Sequence, residues 1–128
     1  MKNDYVRSKW YYGITYLSNY ELERILKKNT NVERYVLITH DRDTCFDGSC
    51  KVTHCHFIVS FGSACKINIV RDIFFDMHCN TYLEPLRIDS LPMNVKYMIH
   101  KGYSDKYQYH ESDLVSNDIK FFGKFLGN

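Results

Sequence analysis

Apolar positions along this chain recur with two periods, and the switches between them lay out the expected elements. Residues 9–17 (Lys-Trp-Tyr-Tyr-Gly-Ile-Thr-Tyr-Leu) are dense in β-formers and predict a first strand in the middle of a sheet. Over residues 20–28 the spacing turns helical. Leu22, Ile25 and Leu26 share a face, Glu21 and Glu23 come early, Lys27 and Lys28 come late, and Ser18 or Asn19 can serve as N-cap. Residues 34–39 (Arg-Tyr-Val-Leu-Ile-Thr) and 53–61 (Thr-His-Cys-His-Phe-Ile-Val-Ser-Phe) predict two further strands, joined through a hairpin turn over residues 44–51 with Asp47-Gly48-Ser49 at its centre. Gly62 and Ser63 are expected to break the strand, with Ser63 capping a second helix over residues 64–77, where Ile67, Val70, Ile73 and Phe74 repeat at helical spacing. Residues 82–88 predict a fourth strand, confined by Pro85 to an edge or a bulge. Ser90 and Pro92 then open a third helix over residues 93–101, ended by Gly102. Residues 103–128 show no clear period, although Phe121, Phe122 and Phe125 are expected to return to the core.

The order β-α-β-β-α-β predicts an α+β fold: one domain over residues 1–128, with an antiparallel sheet of about four to five strands and helices on one face. This is the split β-α-β, or ferredoxin-like, plan. Composition supports a folded globular chain, since 45% of the 128 residues are hydrophobic and 25% charged, which excludes disordered and fibrous classes. No apolar run reaches the roughly 18 residues of a membrane-spanning helix, and Asp4, Arg7 and Lys9 interrupt any signal-peptide core, so a cytoplasmic protein without membrane contact is expected. The five cysteines form no C-x-x-C pair, which argues against a zinc ribbon or a disulfide framework and for reduced thiols. A net charge of +2 is too mild to mark a duplex-coating protein. Eleven tyrosines say more, because a tyrosine can stack on an unpaired base, although most are expected simply to fill strand faces.

The chemistry centres on the strand with two histidines. Alternation puts His54 and His56 on one face and Cys55, Phe57, Val59 and Phe61 on the other, toward a core. Antiparallel pairing with the preceding strand brings His40 and Asp43 to the same end, so that three imidazoles and a carboxylate can converge on one divalent ion. A single strand histidine is more often a hydrogen-bonded structural residue; it is the combination that favours a metal. On the third helix Tyr97 shares a face with Met93, His100 and Lys101. Taken alone, Tyr97 reads first as a half-buried aromatic. With a cation beside it to favour the phenolate, tyrosine attack on a phosphate fits the same parts.

In sequence order these motifs resemble the HUH endonucleases, in particular the replication initiators of rolling-circle plasmids. The features that carry the resemblance are His40-x-x-Asp43, the pair His54-Cys55-His56, Tyr97 with His100 three residues on, and Lys106-Tyr107-Gln108-Tyr109. The resemblance implies metal ligation by His40, Asp43, His54 and His56, with Mn2+ or Mg2+ as cofactor, and Zn2+ as an ion that also suits three imidazoles. Tyr97 matches the nucleophile. His100 stands where viral relatives have a lysine, so Lys101 or Lys96 is expected to supply that charge. Lys96, Tyr103, Lys106, Tyr107 and Tyr109 are the expected DNA contacts.

The implied activity is metal-dependent, sequence-specific nicking and rejoining of single-stranded DNA at a replication origin, such as a hairpin loop, through a 5′-phosphotyrosine. It is compatible with this chain being the N-terminal part of a longer initiator that forms homo-oligomers through a region outside it. Three rivals make different predictions. A single-tyrosine transposase of the same superfamily lacks the Asp43 ligand position and the residue 106–109 segment. A non-catalytic single-strand binding module would keep binding under chelation and without Tyr97. A zinc-stabilised interaction domain would need the metal to fold and would cleave nothing.

Overall fold

A computed structural model describes residues 7–75 and 81–127. Five strands form one sheet in the order β4-β1-β3-β2-β5: β1 Arg7–Thr15, β2 Val32–His40, β3 His54–Lys66, β4 Thr81–Leu86 and β5 Val115–Ser116. All pairings are antiparallel. The sheet is the expected α+β arrangement, with β1 inside it and Pro85 on the edge strand β4, where a missing N–H costs least.

Helix α1, Asn19–Lys28, starts where Ser18 and Glu21 form a reciprocal capping box. It buries Leu22 and Leu26 against Tyr35, Leu37 and Phe57, the inward face of β2 and β3. Helix α2, Ile67–Phe75, adds Ile67, Val70 and Phe74 to the same cluster.

The sequence placed helices on one face of the sheet; the structure places them on both. Helix α3, Leu91–Met98, and helix α4, Ile119–Gly123, cover the opposite face, where Leu91, Val95, Met98 and Phe122 pack on Trp10, Tyr12, Val36, Ile38 and Ile58. The central strands are apolar on both faces, so each face needs its own cover. Phe121 and Phe125 pack against this second cluster, as expected of the tail.

Three boundaries differ from the sequence reading. Gly62 and Ser63 do not end β3, which continues to Lys66 because the start of β1 stays paired with it, Arg7 opposite Lys66 and Ser8 opposite Cys65, past an irregularity between Ser8 and Trp10. Ser63 therefore caps nothing, and α2 begins at Ile67; the end expected at residue 77 lies outside the described residues. At α3 a 3₁₀ turn, Ile88–Ser90, precedes the helix, and the Ser90 hydroxyl donates to the Arg87 carbonyl instead of capping.

The same helix ends at Met98 rather than at residue 101. His100 takes the left-handed conformation (φ 61°), its N–H donating to the Tyr97 carbonyl while the Lys101 N–H donates to that of Lys96. This is a Schellman ending with histidine in the position glycine usually holds. Gly102 (φ 88°) only continues the turn.

Gly13 answers to a different constraint. It faces Phe57 across the β1–β3 ladder, and a Cβ there would lie 2.2 Å from the tip of that fully buried ring, itself wedged against Phe74. Gly13→Ala is expected to destabilise the fold by about 2–3 kcal/mol, read as a lower urea midpoint with an unchanged slope.

Candidate functional site

The hairpin register brings the ligand candidates together. His40, the last residue of β2, lies directly opposite His54, the first of β3, and Ile38 lies opposite His56. All three rings gather at one end of the sheet face covered by α3, with centroids 5.4 Å (His40–His54), 4.2 Å (His40–His56) and 5.0 Å (His54–His56) apart. Asp43, just past β2, completes the group, and one ligand atom from each of the four residues lies within 4.8 Å of the others. The intervening loop closes on itself through a Thr44–Cys50 bridge and a turn at Gly48.

Hydrogen-bond partners decide which nitrogens face inward. His40 Nε2 lies 2.6 Å from the Met98 carbonyl, which can only accept, so Nε2 carries the proton and Nδ1 presents its lone pair 3.0 Å from Asp43 Oδ2. His54 Nδ1 donates to the Val52 carbonyl (2.8 Å), leaving Nε2 3.3 Å from the same carboxylate oxygen. His56 Nδ1 pairs with the Tyr12 hydroxyl, which leaves its Nε2 for the cluster.

Burial keeps the inner rings neutral. It lowers the His40 pKa, and it takes His56 down to about 3, helped by the neighbouring His40 and His54. For Asp43 burial pushes the pKa up, but the bond from the Tyr109 hydroxyl opposes this, and the net result lies below its ordinary value, so the carboxylate stays ionised. Neutral nitrogen lone pairs turned toward a carboxylate repel it unless a cation lies between them. The donor set of three imidazoles and one carboxylate therefore fits a divalent metal ion, each histidine being oriented by a bond from its other nitrogen.

A pH dependence follows from the same burial. The folded His56 pKa lies below its ordinary 6.5, so the unfolded chain takes up the proton first, and stability is lost as pH falls below 6.5. In chelated protein this one group is expected to cost about 2 kcal/mol between pH 7 and pH 5, seen as a falling Tm. A Tm unchanged across that range would show that His56 is solvated.

Tyr109 supports the cluster from behind. Its ring stacks on His40 (4.4 Å, 8°), and its hydroxyl donates to Asp43 Oδ1 (2.7 Å) while accepting the Arg42 N–H (3.0 Å). Burial and the Asp43 bond raise its pKa, so the hydroxyl stays a donor. Tyr109→Phe keeps the stacked ring but frees the carboxylate; metal affinity is expected to fall roughly 10-fold, measured by titration calorimetry, with little change in Tm. A Phe variant that binds metal like the parent would remove this role.

A cleft of about 900 Å³ opens over the cluster, lined among others by Asp43, His54, His56, Tyr97, His100, Lys106 and Tyr107. Tyr97, in the last turn of α3, sets its ring 6.3 Å from that of His56 and 5.3 Å from that of His100. His100 is buried (3% exposed), and its Nδ1 lies 2.7 Å from the Tyr107 carbonyl. As a carbonyl only accepts, Nδ1 is the donor there.

The other expected residues are spread out. Tyr103 lies edge-on to Tyr97 at 5.0 Å, the chain having folded back after Gly102. Lys101 turns away, its ammonium donating to the Leu126 carbonyl, and neither it nor Lys96 lines the cleft. Tyr109 is buried behind the cluster rather than in the cleft. Sequence reasoning missed Tyr12 and the Met98 carbonyl, which orient His56 and His40, and Tyr16, Phe46 and Lys51, which line the cleft. Period two already put Tyr12 on the Ile14 face of β1; that this face meets His56 depends on strand order.

Fold and site together describe a small α+β domain with a metal-competent His/Asp cluster at one end of its sheet and a tyrosine beside it. Residues 7–124 match the model of the plasmid replication protein origin-binding domain family, and the chain belongs to that family. No curated protein matches it. No helix among the described residues is long and apolar enough to cross a membrane.

Proposed function

We propose that this chain is the origin-binding and nicking domain of a rolling-circle plasmid initiator of the HUH type, cutting and rejoining single-stranded DNA through a tyrosine. Family membership supports replication initiation and binding of DNA at a plasmid origin. The observation that carries the chemistry is the placement of Tyr97 in one cleft with the His40, Asp43, His54 and His56 cluster, its ring 6.3 Å from that of His56.

His40, Asp43, His54 and His56 would hold the ion, with Mn2+ or Mg2+ the preferred candidates on cellular availability and Zn2+ also compatible with three imidazoles. A bound divalent ion supplies Lewis-acid stabilisation of charge on the non-bridging oxygens of a phosphodiester. The Tyr97 oxygen attacks the phosphorus in line and loses its proton, while the 3′-oxygen of the preceding nucleotide leaves and takes one up. The products are a 5′-phosphotyrosine and a free 3′-hydroxyl. Attack of that hydroxyl reverses the step and rejoins the strand, with no nucleotide cofactor needed. Tyr109 holds Asp43, and Tyr12 and the Met98 carbonyl hold two of the imidazoles. Lys106 and Tyr107 line the path of the strand, Tyr103 buttresses Tyr97, and His100 faces it across the cleft wall.

The test is a denaturing gel of protein incubated with Mn2+ and a pool of random-centred single-stranded oligonucleotides, with and without chelator. A slow-migrating adduct that needs metal, and whose peptide maps to Tyr97, is the expected result. Metal-independent binding with no adduct, across a pool large enough to contain rare sites, would leave a binding module only.

A further inference from the structure

The cleft is bordered by large aromatic side chains that stay largely exposed. Phe46 is exposed to 112% of its reference area, Tyr16 to 60% and Tyr107 to 46%, and all three line the cleft that contains His54, His56 and Tyr97. They come from three separate segments: the end of β1, the β2–β3 loop, and the chain after α3. Leaving a phenylalanine ring fully in water is unfavourable relative to burying it, so a cluster of such rings at one site points to a use.

The loop that carries Phe46 is built to keep it out. Its ends are pinned by the Thr44–Cys50 bridge, and its tip by bonds from Cys45 N to the Ser49 carbonyl (2.7 Å), from Gly48 N to the Cys45 carbonyl (2.9 Å) and from Ser49 N to Asp47 Oδ1 (3.0 Å). Tyr107 is held from behind, edge-on to Tyr109 at 4.8 Å and under the Arg42 guanidinium at 5.6 Å. Lys51 and Lys106 line the same cleft, and neither is in an ion pair among the described residues.

We propose that Phe46, Tyr16 and Tyr107 form a stacking clamp for unpaired bases on either side of the phosphate held at the His/Asp cluster, with Lys51 and Lys106 taking up neighbouring phosphates. The inference rests on the reading that a DNA strand enters this cleft. Aromatic rings interleaved with cations suit a single strand, whose bases offer open faces, and not a duplex, whose bases are already stacked. Because every base has a π-face, the clamp contributes affinity and strand geometry rather than sequence choice. Pulling the bases flat against these rings would splay the backbone at the scissile position and present its phosphate to the cluster.

The experiment measures fluorescence anisotropy of a labelled mixed-sequence single-stranded oligonucleotide, and of the same sequence as a blunt duplex. It uses full-length chain carrying Tyr97→Phe so that no covalent trapping interferes. Phe46→Ala and Tyr16→Ala are each expected to weaken single-strand binding roughly 5- to 100-fold, with duplex binding and Tm unchanged, since neither ring is packed in the fold. Phe46→Trp should retain affinity, and Phe46→Leu should bind as weakly as alanine. Unchanged single-strand affinity in the alanine variants, restoration by leucine, or binding of the parent to duplex alone would each overturn the clamp. A parallel adduct assay on protein with Tyr97 intact separates the two claims. Variants that lose binding when the parent forms no adduct uphold the clamp and sink the nuclease reading; variants that bind and cut like the parent do the reverse.

Discussion

Tyr97→Phe is expected to lose covalent adduct formation altogether, a fall of at least about a thousand-fold in strand cleavage, while single-strand binding survives. The substitution removes one oxygen. The ring keeps its contacts with His56, His100 and Tyr103, and the hydroxyl has no hydrogen-bond partner among the described residues, so neither the core nor a polar network is disturbed. A residual adduct of normal yield would move the nucleophile elsewhere, and peptide mapping of that adduct would show where. A variant that neither binds nor melts like the parent would instead show that the hydroxyl supports the fold.

His54→Ala is expected to abolish measurable binding of Mn2+, a loss of at least about 100-fold in affinity by titration calorimetry, and with it the metal-dependent adduct. Among the four candidate ligands, His54 is the one whose removal tests the metal most cleanly. His40 and His56 are buried at 1% and 5% exposure and bonded to Met98 and Tyr12, so their loss would also disturb packing. The His54 side chain is 12% exposed, and its bond to Val52 lies at the loop end of the hairpin. Truncation there leaves the core untouched, so Tm without metal should hold within about 2 °C, a shift worth less than about 1 kcal/mol in a domain of this size. Undiminished metal binding in this variant would place the ion at other ligands. A collapse of Tm in the absence of metal would make His54 a structural residue.

Much of this protein was legible in its sequence because period and chemistry agreed there. The alternation of residues 53–61 put His54 and His56 on one face, and the structure confirms the other face as core, with Cys55, Phe57, Val59 and Phe61 buried. Ser18, offered with Asn19 as the N-cap, does start α1, and Pro85, read as marking an edge or a bulge, stands on the edge strand β4. These features are local: alternation, capping and a missing N–H act within a few residues, so their effect can be read without knowing what packs against them.

Other features were decided only by the tertiary structure. Gly62 and Ser63 read as a stop, yet β3 runs through them because β1 reaches far enough back to pair with Lys66. Helix α3 looked continuous to Lys101, yet the chain turns at His100, which sends the Lys101 ammonium to Leu126 and brings Tyr103 back against Tyr97. The phenylalanines of the tail were expected in a core, but that they join Leu126 on the face that carries the site was settled only by the fold. The bonds that set each imidazole, from Tyr12, Val52 and Met98, come from three different parts of the chain. The residue types of the cluster were thus determined by the sequence itself, whereas their orientation was settled by strand order and by the long-range contacts of α3, which local periodicity does not encode.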